Sequence, residues 1–374
     1  MRDVVIVGGG PVGTMLACVL AVGGLDVEVL EQRETPSLRS RAIGIHPPSL
    51  RALATIGVAD ALIEQAVHIP RGEVWFDGKR MGHMSFERSA PGFPFVAALP
   101  QYETDKLLRE RFEQLRPGQY HSGVRVNTVV DCGESVRLTT DAGAIDARYV
   151  VGADGARSRV RGEAGIGWKP LGKPDTYLMG DFAAAGAADT GAVLYFERGG
   201  VVESFPLPGG RRRWVALTDF LATKADSADL AALIKHRTGV TVPEPLGEAS
   251  AFTAQQRLAE RMHVGRILLV GDAAHQISPI GGQGMNLGWL DAVALAPALQ
   301  RALLDPAAAA SVLKNYDRTR LRSARRAVVQ ATFNMQMGRP VRGLRLGVRN
   351  TLVRGLTLPP ANELVARAFT MRWL

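Results

Sequence analysis

The segment Val4-Val5-Ile6-Val7-Gly8-Gly9-Gly10-Pro11-Val12-Gly13, followed by an apolar stretch to Val22, Gly23-Gly24 and then Val27-Glu28-Val29-Leu30-Glu31, decides the fold. It reads as strand, glycine turn, helix, strand. Pro11 suits the first helical position, where its missing N–H costs nothing, and Gly23 or Gly24 suits the helix C-terminus. Gly8, Gly10 and Gly13 form G-x-G-x-x-G between strand and helix, and Glu31 lies eighteen residues after Gly13 at the end of the second strand. The glycines permit a tight turn and close approach of bare backbone to a pyrophosphate at the helix N-terminus, and a carboxylate at Glu31 can accept bonds from ribose hydroxyls. Glycines alone would make an ordinary turn. With strand, helix and acid placed around them, they predict a dinucleotide-binding unit.

Two further strands end in aspartate. Arg266-Ile267-Leu268-Leu269-Val270 runs into Gly271-Asp272-Ala273-Ala274-His275, then Pro279, Gly281-Gly282-Gln283-Gly284-Met285-Asn286 and Asp291-Ala292. Asp272 is expected in the crevice at the carboxyl edge of an open sheet, where ligands bind. The glycine loop is expected to bring N–H groups and the dipole of a helix beginning near Asn286 to a planar, electron-rich ring. His275 reads as a satisfied structural histidine rather than a base. Val150-Val151-Gly152-Ala153-Asp154-Gly155, with Ser158 and Arg161, repeats the pattern. Asp154 can accept bonds from backbone or from Arg157, Arg159 or Arg161, and these arginines can offer charge to phosphates. By itself this is a turn with a solvated charge cluster.

Outward from these motifs, 374 residues with 46% hydrophobic content fit two interwoven domains with a real core and exclude disorder for the bulk. Residues 71–99 and 166–255 are rich in aromatics, glycine and proline, and Val201 to Leu207, Pro208-Gly209-Gly210 and Arg213 to Leu217 read as a hairpin. The expected fold is α/β: a Rossmann-like domain made of 1–70, 100–165 and 256–300, a mainly antiparallel sheet domain inserted as 71–99 and 166–255, and a C-terminal helical segment, 301–374. Cys18 and Cys132 cannot form a disulfide framework, a redox pair or a zinc site, so no metal is implied and a reducing compartment fits. The opening apolar run is too short for a signal peptide, and no window approaches a membrane span, so a cytoplasmic protein without a transmembrane segment is expected.

The three motifs, G-x-G-x-x-G, then D-G-x-x-S-x-x-R, then G-D-A-A-H-x-x-x-P-x-x-G-x-G-x-N, fall in order over roughly residues 1 to 300. This arrangement resembles the FAD-dependent aromatic hydroxylases of the para-hydroxybenzoate hydroxylase type, the group A flavoprotein monooxygenases with a GR2-type FAD domain. Ser40-Arg41-Ala42-Ile43-Gly44-Ile45-His46-Pro47 and Leu99-Pro100-Gln101 are similar to the aromatic-polyketide hydroxylase branch, where the matching Arg41 and Gln101 would lie against the flavin. The resemblance implies an FAD whose pyrophosphate meets Gly8, Gly10, Pro11, Val12 and Gly13, and whose ribose meets Glu31 beside Gln32 and Arg33. Its ribityl chain would meet Gly271 and Asp272, and its ring Pro279, Gly281, Gly282, Gly284, Met285 and Asn286. Asp154, Gly155, Ser158 and Arg161 match a motif associated with FAD and NAD(P)H phosphates. The implied reaction uses NADH or NADPH and O2 to hydroxylate a bulky aromatic or polyketide-like compound through a flavin C4a-hydroperoxide.

The cofactor would carry that chemistry, so no catalytic triad is expected. Tyr195, Arg213 and His83 are candidates for activating a phenol, and no spacing singles one out. Two other readings share the flavin motifs: a reductase or epoxidase of an isoprenoid lipid, and a catalytically silent flavin-binding protein. Tryptophan-type halogenases are disfavoured by the lack of a W-x-W pair. The polyketide branch commonly carries a thioredoxin-like domain after the FAD domain, and residues 301–374 are expected to be too short to hold one. Pro297 is expected to kink the helix after Asn286 or end it near Ala296.

The net charge of +9 is concentrated in residues 314–374, which hold thirteen basic residues against Asp317 and Glu363. There Leu321, Ala324, Val328, Ala331 and Met335 recur at helical spacing, as one packed stripe. In a second helix after Pro340, Val341, Leu344, Val348 and Leu352 mark an apolar face expected to pack, with Arg342, Arg345 and Arg349 on a neighbouring solvated one. The same helix could instead make peripheral membrane contact through 341–355. Nucleic acid is disfavoured because no stacking aromatics interleave with the arginines. The oligomeric state stays open.

Overall fold

The structure, a computed structural model, describes residues 1–37, 42–86, 92–186, 190–278 and 282–371. Its first sheet is built on five parallel strands in the order Ile267–Leu269, Gly143–Gly152, Arg2–Val7, Val27–Glu31 and Tyr120–Ser122. Val4 pairs with both Tyr149 and Val27, and Val4, Val5 and Ile6 have no exposed surface. Covered on both faces, the central strand needs a continuous apolar run. Strand Gly143–Gly152 also pairs antiparallel with Val136–Thr140, which pairs with Val126–Asp131. Helix Pro11–Val22 packs between helices Gln101–Leu115 and Gln283–Leu304. The carboxyl ends of four parallel strands share one edge, and Gly8, Glu31, Asp154 and Asp272 all border the cavity there.

Helix Gln283–Leu304 runs through Pro297, so of the two expected effects, a kink or an end near Ala296, the end does not occur. An interior proline costs about 3 kcal/mol. Here the surrounding residues Leu295, Ala296, Leu299 and Ala302 are buried between Pro11–Val22 and helix Pro306–Gly338, and that packing offsets the missing hydrogen bond. By length and composition this is the one described helix apolar enough to cross a membrane, but 61% of its apolar window is buried inside the protein, as in a core helix.

The second sheet has the order His275–Gln276, Ser250–Ala259, Trp168–Ala183, Arg211–Thr218, Gly200–Leu207, Ala192–Glu197, Arg71–Phe76 and Lys79–Ser85. All neighbours are antiparallel except Ala192–Glu197 with Arg71–Phe76. Its strands thus come from both predicted insertions, and it runs past residue 255 to Ala259 and takes in His275–Gln276. Gly200–Leu207 and Arg211–Thr218 form the expected hairpin, turning at Gly209 and Gly210, both at positive φ. Alternation divides the sheet's faces. Leu178, Phe182, Val202, Trp214 and Ala216 pack under helix Ser227–Thr238 through its Leu230 and Ile234. On the opposite face Tyr177, Met179, Val201 and Phe252 cluster with Met335 of helix Pro306–Gly338 and line the cavity. A small sheet of Gly44–Ile45, Val96–Ala98 and Val67–Ile69 brackets the first insert, and Val96–Ala98 belongs to it although the predicted range 71–99 counted that stretch with the larger sheet.

In the C-terminal segment, helix Pro306–Gly338 buries Leu321, Ala324, Val328, Ala331 and Met335 as the spacing predicts. Helix Leu344–Leu356 departs from the expectation for its apolar face and for Arg349, while Arg342 and Arg345 are exposed as expected. Leu344 is 92% exposed, Val348 70% and Leu352 44%, whereas Arg349 is only 5% exposed. The guanidinium of Arg349 donates to the carbonyls of Phe196 and Glu197, at the end of strand Ala192–Glu197, and sits near the Phe76 ring. An arginine fork can donate to two backbone carbonyls at once, which leucine could not do.

Candidate active site

The turn after strand Arg2–Val7 has no room for side chains on its inner side. A Cβ at Gly8, where φ is +107°, would lie 2.4 Å from the Ala153 carbonyl oxygen, and one at Gly13 would lie 1.9 Å from that of Gly8. Gly10 differs: a Cβ there would meet nothing within 4 Å, because it would project into the cavity. Gly10 caps helix Pro11–Val22 with no side-chain acceptor, and no acidic residue lies in the first turn. The helix's first N–H groups and its positive end therefore face open space that suits an anion.

Glu31 closes one flank of this turn. Its Oε2 accepts from Gly9 N at 2.8 Å and its Oε1 from Arg33 N at 2.9 Å, leaving lone pairs for further donors. Tyr120 Oη donates to the Gly9 carbonyl at 2.8 Å and fixes the turn from below. Gln32, Arg33 and Gln101 also line the cavity. So does Asp105, one helical turn after Gln101, which the sequence reading missed. Burial pushes the Asp105 carboxyl up to about 7, against a hydrogen bond with Gln101 and the charges of Arg109 and Arg33. Its only sequence signal was an acid at i+4 from Gln101 on an amphipathic helix.

On the opposite flank, Gly271 adopts φ +59° and packs against Val12, whose methyls would lie 3.1 Å from a Cβ there. Asp272 presents its carboxylate to the cavity beside Gly284, while the protein behind it raises its pKa by desolvation. Gly282, at φ +66°, begins helix Gln283–Leu304 with no side-chain cap and no acid in the first turn, so a second uncapped N-terminus opens on the same cavity. Gly282, Gly284 and Met285 line it. Arg41, Pro279 and Gly281, also expected near the ring, lie outside the described residues.

Two motif residues assigned to the cofactor direct their side chains to backbone groups. Asn286 is fully buried; its Nδ2 donates to the Gly44 and Gly282 carbonyls at 2.8 and 2.6 Å, and its Oδ1 accepts from His46 N at 2.8 Å. It staples the Gly44–His46 stretch to the helix start. Arg161 is buried as well, donating to the carbonyls of Ala273 and Ala156 at 2.9 and 3.0 Å and stacking 4.0 Å from the Trp168 ring centroid. Its charge holds the Gly271–Ala273 turn instead of reaching the cavity, where Arg157 and Arg159 lie. Asp154 borders the cavity with Gly155, its Oδ2 accepting from Arg159 N and Val160 N and its buried Oδ1 meeting no partner among the described residues.

Behind the site, His275 Nε2 and Arg320 Nε meet opposite oxygens of Asp291 at 2.5 and 2.7 Å, with none of the three side chains more than 5% exposed. Burial alone would raise the Asp291 carboxyl, but the His275 and Arg320 charges outweigh it and hold its pKa below the usual range. Asp291 Oδ2 also accepts from Gly271 N at 3.2 Å. His275 is thus a structural residue, as expected.

The cavity continues, about 640 Å³ in all, to the inner face of the second sheet. Arg213 and His83 line it; Tyr195 does not, because it lies on the other face, stacked 5.9 Å from Trp214. Glu203 and Tyr177, which the sequence reading passed over, do line it. A signal existed: in Val201-Val202-Glu203-Ser204-Phe205, period-two alternation puts Glu203 in the same row as Val201 and Phe205.

A family model described as "FAD binding domain" matches residues 1–331. Among curated relatives, the 6-methylpretetramide 4-monooxygenase of Streptomyces rimosus is 34% identical over 311 residues, which are 79% of this chain and 55% of that protein. The chain spans less than two thirds of the length of the first curated relatives it matches. Among solved structures, the Diels-Alderase PyrE3 of pyrroindomycin biosynthesis superposes with a TM-score of 0.83 at 28% identity, over 99% of this chain and 80% of that one. The p-nitrophenol 4-monooxygenase PnpA of Pseudomonas putida DLL-E4 gives a TM-score of 0.87 over 99% of this chain and 98% of its own; at 24% identity it shows the shared fold alone. The orphaned Asp154 Oδ1, the open space at Gly10 and the two uncapped helix N-termini fit the cofactor in that family's name. With the match running over most of its length, the chain belongs to the FAD binding domain family.

Proposed function

We propose that the protein is an FAD-dependent monooxygenase that consumes NADH or NADPH and O2 to hydroxylate a bulky aromatic or polyketide-like small molecule. The observation that carries this reading is the continuity of the cavity from the Gly8–Gly13 turn to the apolar inner face of the second sheet. When bound, FAD supplies hydride acceptance and oxygen activation, which no side chain provides. The chain's residues bind and orient. Gly8, Gly10, Pro11, Val12 and Gly13 offer the turn and helix N-terminus to the pyrophosphate, with Asp154 and Gly155 beside it. Glu31, Gln32 and Arg33 take the ribose end, and Gln101 borders the cofactor midway. Asp272 accepts from ribityl hydroxyls, and the N–H groups of Gly282, Gly284 and Met285 meet the polar edge of the ring. The apolar sheet face keeps water from the reacting atoms. The 34% identical relative, a monooxygenase by name, supports this reaction class.

The test uses protein loaded with FAD, with flavin reduction and O2 uptake followed as NADH or NADPH is offered alongside a panel of phenols, quinones and polyketides. Acceleration of both by one ligand class is the expected result. A protein that retains no flavin, or whose NAD(P)H oxidation no ligand stimulates, overturns the reading; bound FAD with ligand conversion but no O2 uptake would favour a non-oxidative role like that named for PyrE3.

The free Cys18 and Cys132 suit a reducing cytoplasm. The exposed Leu344, Val348 and Leu352, flanked by exposed Arg342, Arg345 and Arg354, support contact with an anionic bilayer surface. Co-sedimentation with phosphatidylserine vesicles, lost on L344S/V348S/L352S, is expected; no sedimentation of the unaltered protein refutes that contact.

A further inference from the structure

The inner face of the second sheet narrows the substrate. Strand register aligns Leu194, Glu203, Val215 and Met179 in one row across four strands. Tyr177, two residues from Met179 on the same strand, shares that face. Glu203 is 4% exposed and Tyr177 2%, and both border the cavity. Glu203 Oε1 and Tyr177 Oη meet no hydrogen-bond partner among the described residues. A carboxyl and a phenol are costly to bury with nothing to bond, and in native proteins such groups are nearly always satisfied. Their neighbours in the row are apolar, so the missing partner belongs in the cavity.

The charges around this face decide what that partner is. Arg213 is committed to Asp181 through two bonds of 2.7 and 2.9 Å. Arg339, from the end of helix Pro306–Gly338, is committed to Asp175 at 3.0 Å. His83 borders the cavity from strand Lys79–Ser85. No cation pairs with Glu203 among the described residues, and burial pushes its carboxyl up to about 8. At neutral pH it is mostly the neutral acid, a donor through O–H and an acceptor through C=O. A carboxylate substrate would find no uncommitted arginine on this face to receive it and would lie against an acid.

We propose that the Glu203 carboxylic acid is the polar anchor of the substrate chamber, donating to a carbonyl oxygen of a neutral aromatic ketone or quinone, with Tyr177 Oη as a second anchor. This rests on the monooxygenase reading only in taking the chamber to be the substrate's.

Equilibrium dialysis of FAD-loaded protein tests it between pH 6.5 and 9 with three probes: 1-hydroxyanthraquinone, 1-hydroxyanthracene, which lacks the carbonyl, and anthraquinone-2-carboxylate. At pH 6.5 the quinone is expected to bind at least about tenfold tighter than either other probe. Its affinity should fall about tenfold by pH 9, where only about a tenth of a carboxyl titrating near 8 is still protonated. E203Q keeps a donor at every pH and should bind the quinone without that slope. E203L should bind about tenfold more weakly at pH 6.5, also without the slope, and Y177F should weaken binding at all pH values. Flavin content reports folding in each variant. Failure of the quinone to bind, carboxylate binding as tight as quinone binding, or an unchanged slope in E203Q overturns the proposal. Dialysis reads binding without turnover, so a protein that never oxidises NAD(P)H would sink the monooxygenase reading while leaving this result standing on its own.

Discussion

Gly10 and Gly13 belong to one motif, yet alanine at each should fail in opposite ways. A Cβ at Gly10 would meet no protein atom within 4 Å, and the residue's φ of −75° suits any amino acid. Gly10→Ala therefore costs the cofactor-free fold only a change at a helix N-cap, about 0.5–1 kcal/mol, or a Tm shift of about 2 °C. Its methyl would stand where the pyrophosphate must approach the backbone. Losing one charge-assisted N–H bond to phosphate costs about 1.5–3 kcal/mol, which weakens FAD binding roughly 10- to 150-fold. Gly10→Val, bulkier still, should be worse. A Cβ at Gly13 would instead lie 1.9 Å from the Gly8 carbonyl oxygen and 3.1 Å from Ala153 Cβ. The backbone must move, so Gly13→Ala should lose several kcal/mol of stability before any cofactor is added. Thermal melts of the cofactor-free proteins and FAD titrations by flavin fluorescence separate the two. Wild-type FAD affinity in Gly10→Ala would refute the reasoning, because the pyrophosphate could not then pass over that turn.

Asp272→Ala should weaken FAD retention about tenfold through lost acceptors for ribityl hydroxyls, read as flavin content after gel filtration; full occupancy would contradict the placement of Asp272. Asp291→Asn should cost about 3–5 kcal/mol, because it leaves the buried Arg320 charge uncompensated; a urea midpoint close to wild type would count against it. The folded-state pKa of Asp291 is depressed, so its contribution is fully present above its unfolded value, about 3.9, and is lost as pH falls through the lower folded value. Acid titration of stability should therefore be flatter in the Asp291→Asn protein than in wild type. Arg349→Leu should cost about 1–3 kcal/mol by removing two charge-assisted hydrogen bonds to the Phe196 and Glu197 carbonyls, and should speed proteolytic release of helix Leu344–Leu356; unchanged proteolysis would show that the helix is held by other contacts.

The strand, turn, helix and strand from Arg2 to Glu31 were legible because each step has a local cause: a buried parallel strand needs an unbroken apolar run, and a tight turn needs glycine. The position of Asp272 was legible for the same reason. For Asn286 and Arg161 the motif did not disclose the side-chain partners, because it records that residues recur together without saying what each one holds. Both are polar side chains whose hydrogen bonds run to backbone carbonyls distant in sequence, and that geometry exists only after folding. Glu203 was within reach, since alternation alone puts it in an inward row, but a lone acid in a strand is usually solvated. The inner row gains its meaning only when helix Ser227–Thr238 is seen to cover the other face.

The helix Leu344–Leu356 shows most clearly why composition stops short of structure. Periodicity found its two faces and assigned the interior to the apolar one, which is the better choice wherever a helix docks on an apolar surface. It docks instead with Val353 inward and with Arg349 donating to carbonyls at the end of strand Ala192–Glu197, so the buried stripe runs through a different row of the helix. Arg320 makes the same point at Asp291, where it holds a carboxylate that in turn holds Gly271 N beside Asp272. Part of the basic surplus in residues 314–374 is thus spent inside the protein on backbone and carboxylate oxygens. It follows that neutralising the exposed Arg342, Arg345 and Arg354 should change what the surface attracts, whereas neutralising Arg320 should loosen the floor of the cofactor cavity some way from the helix that carries it.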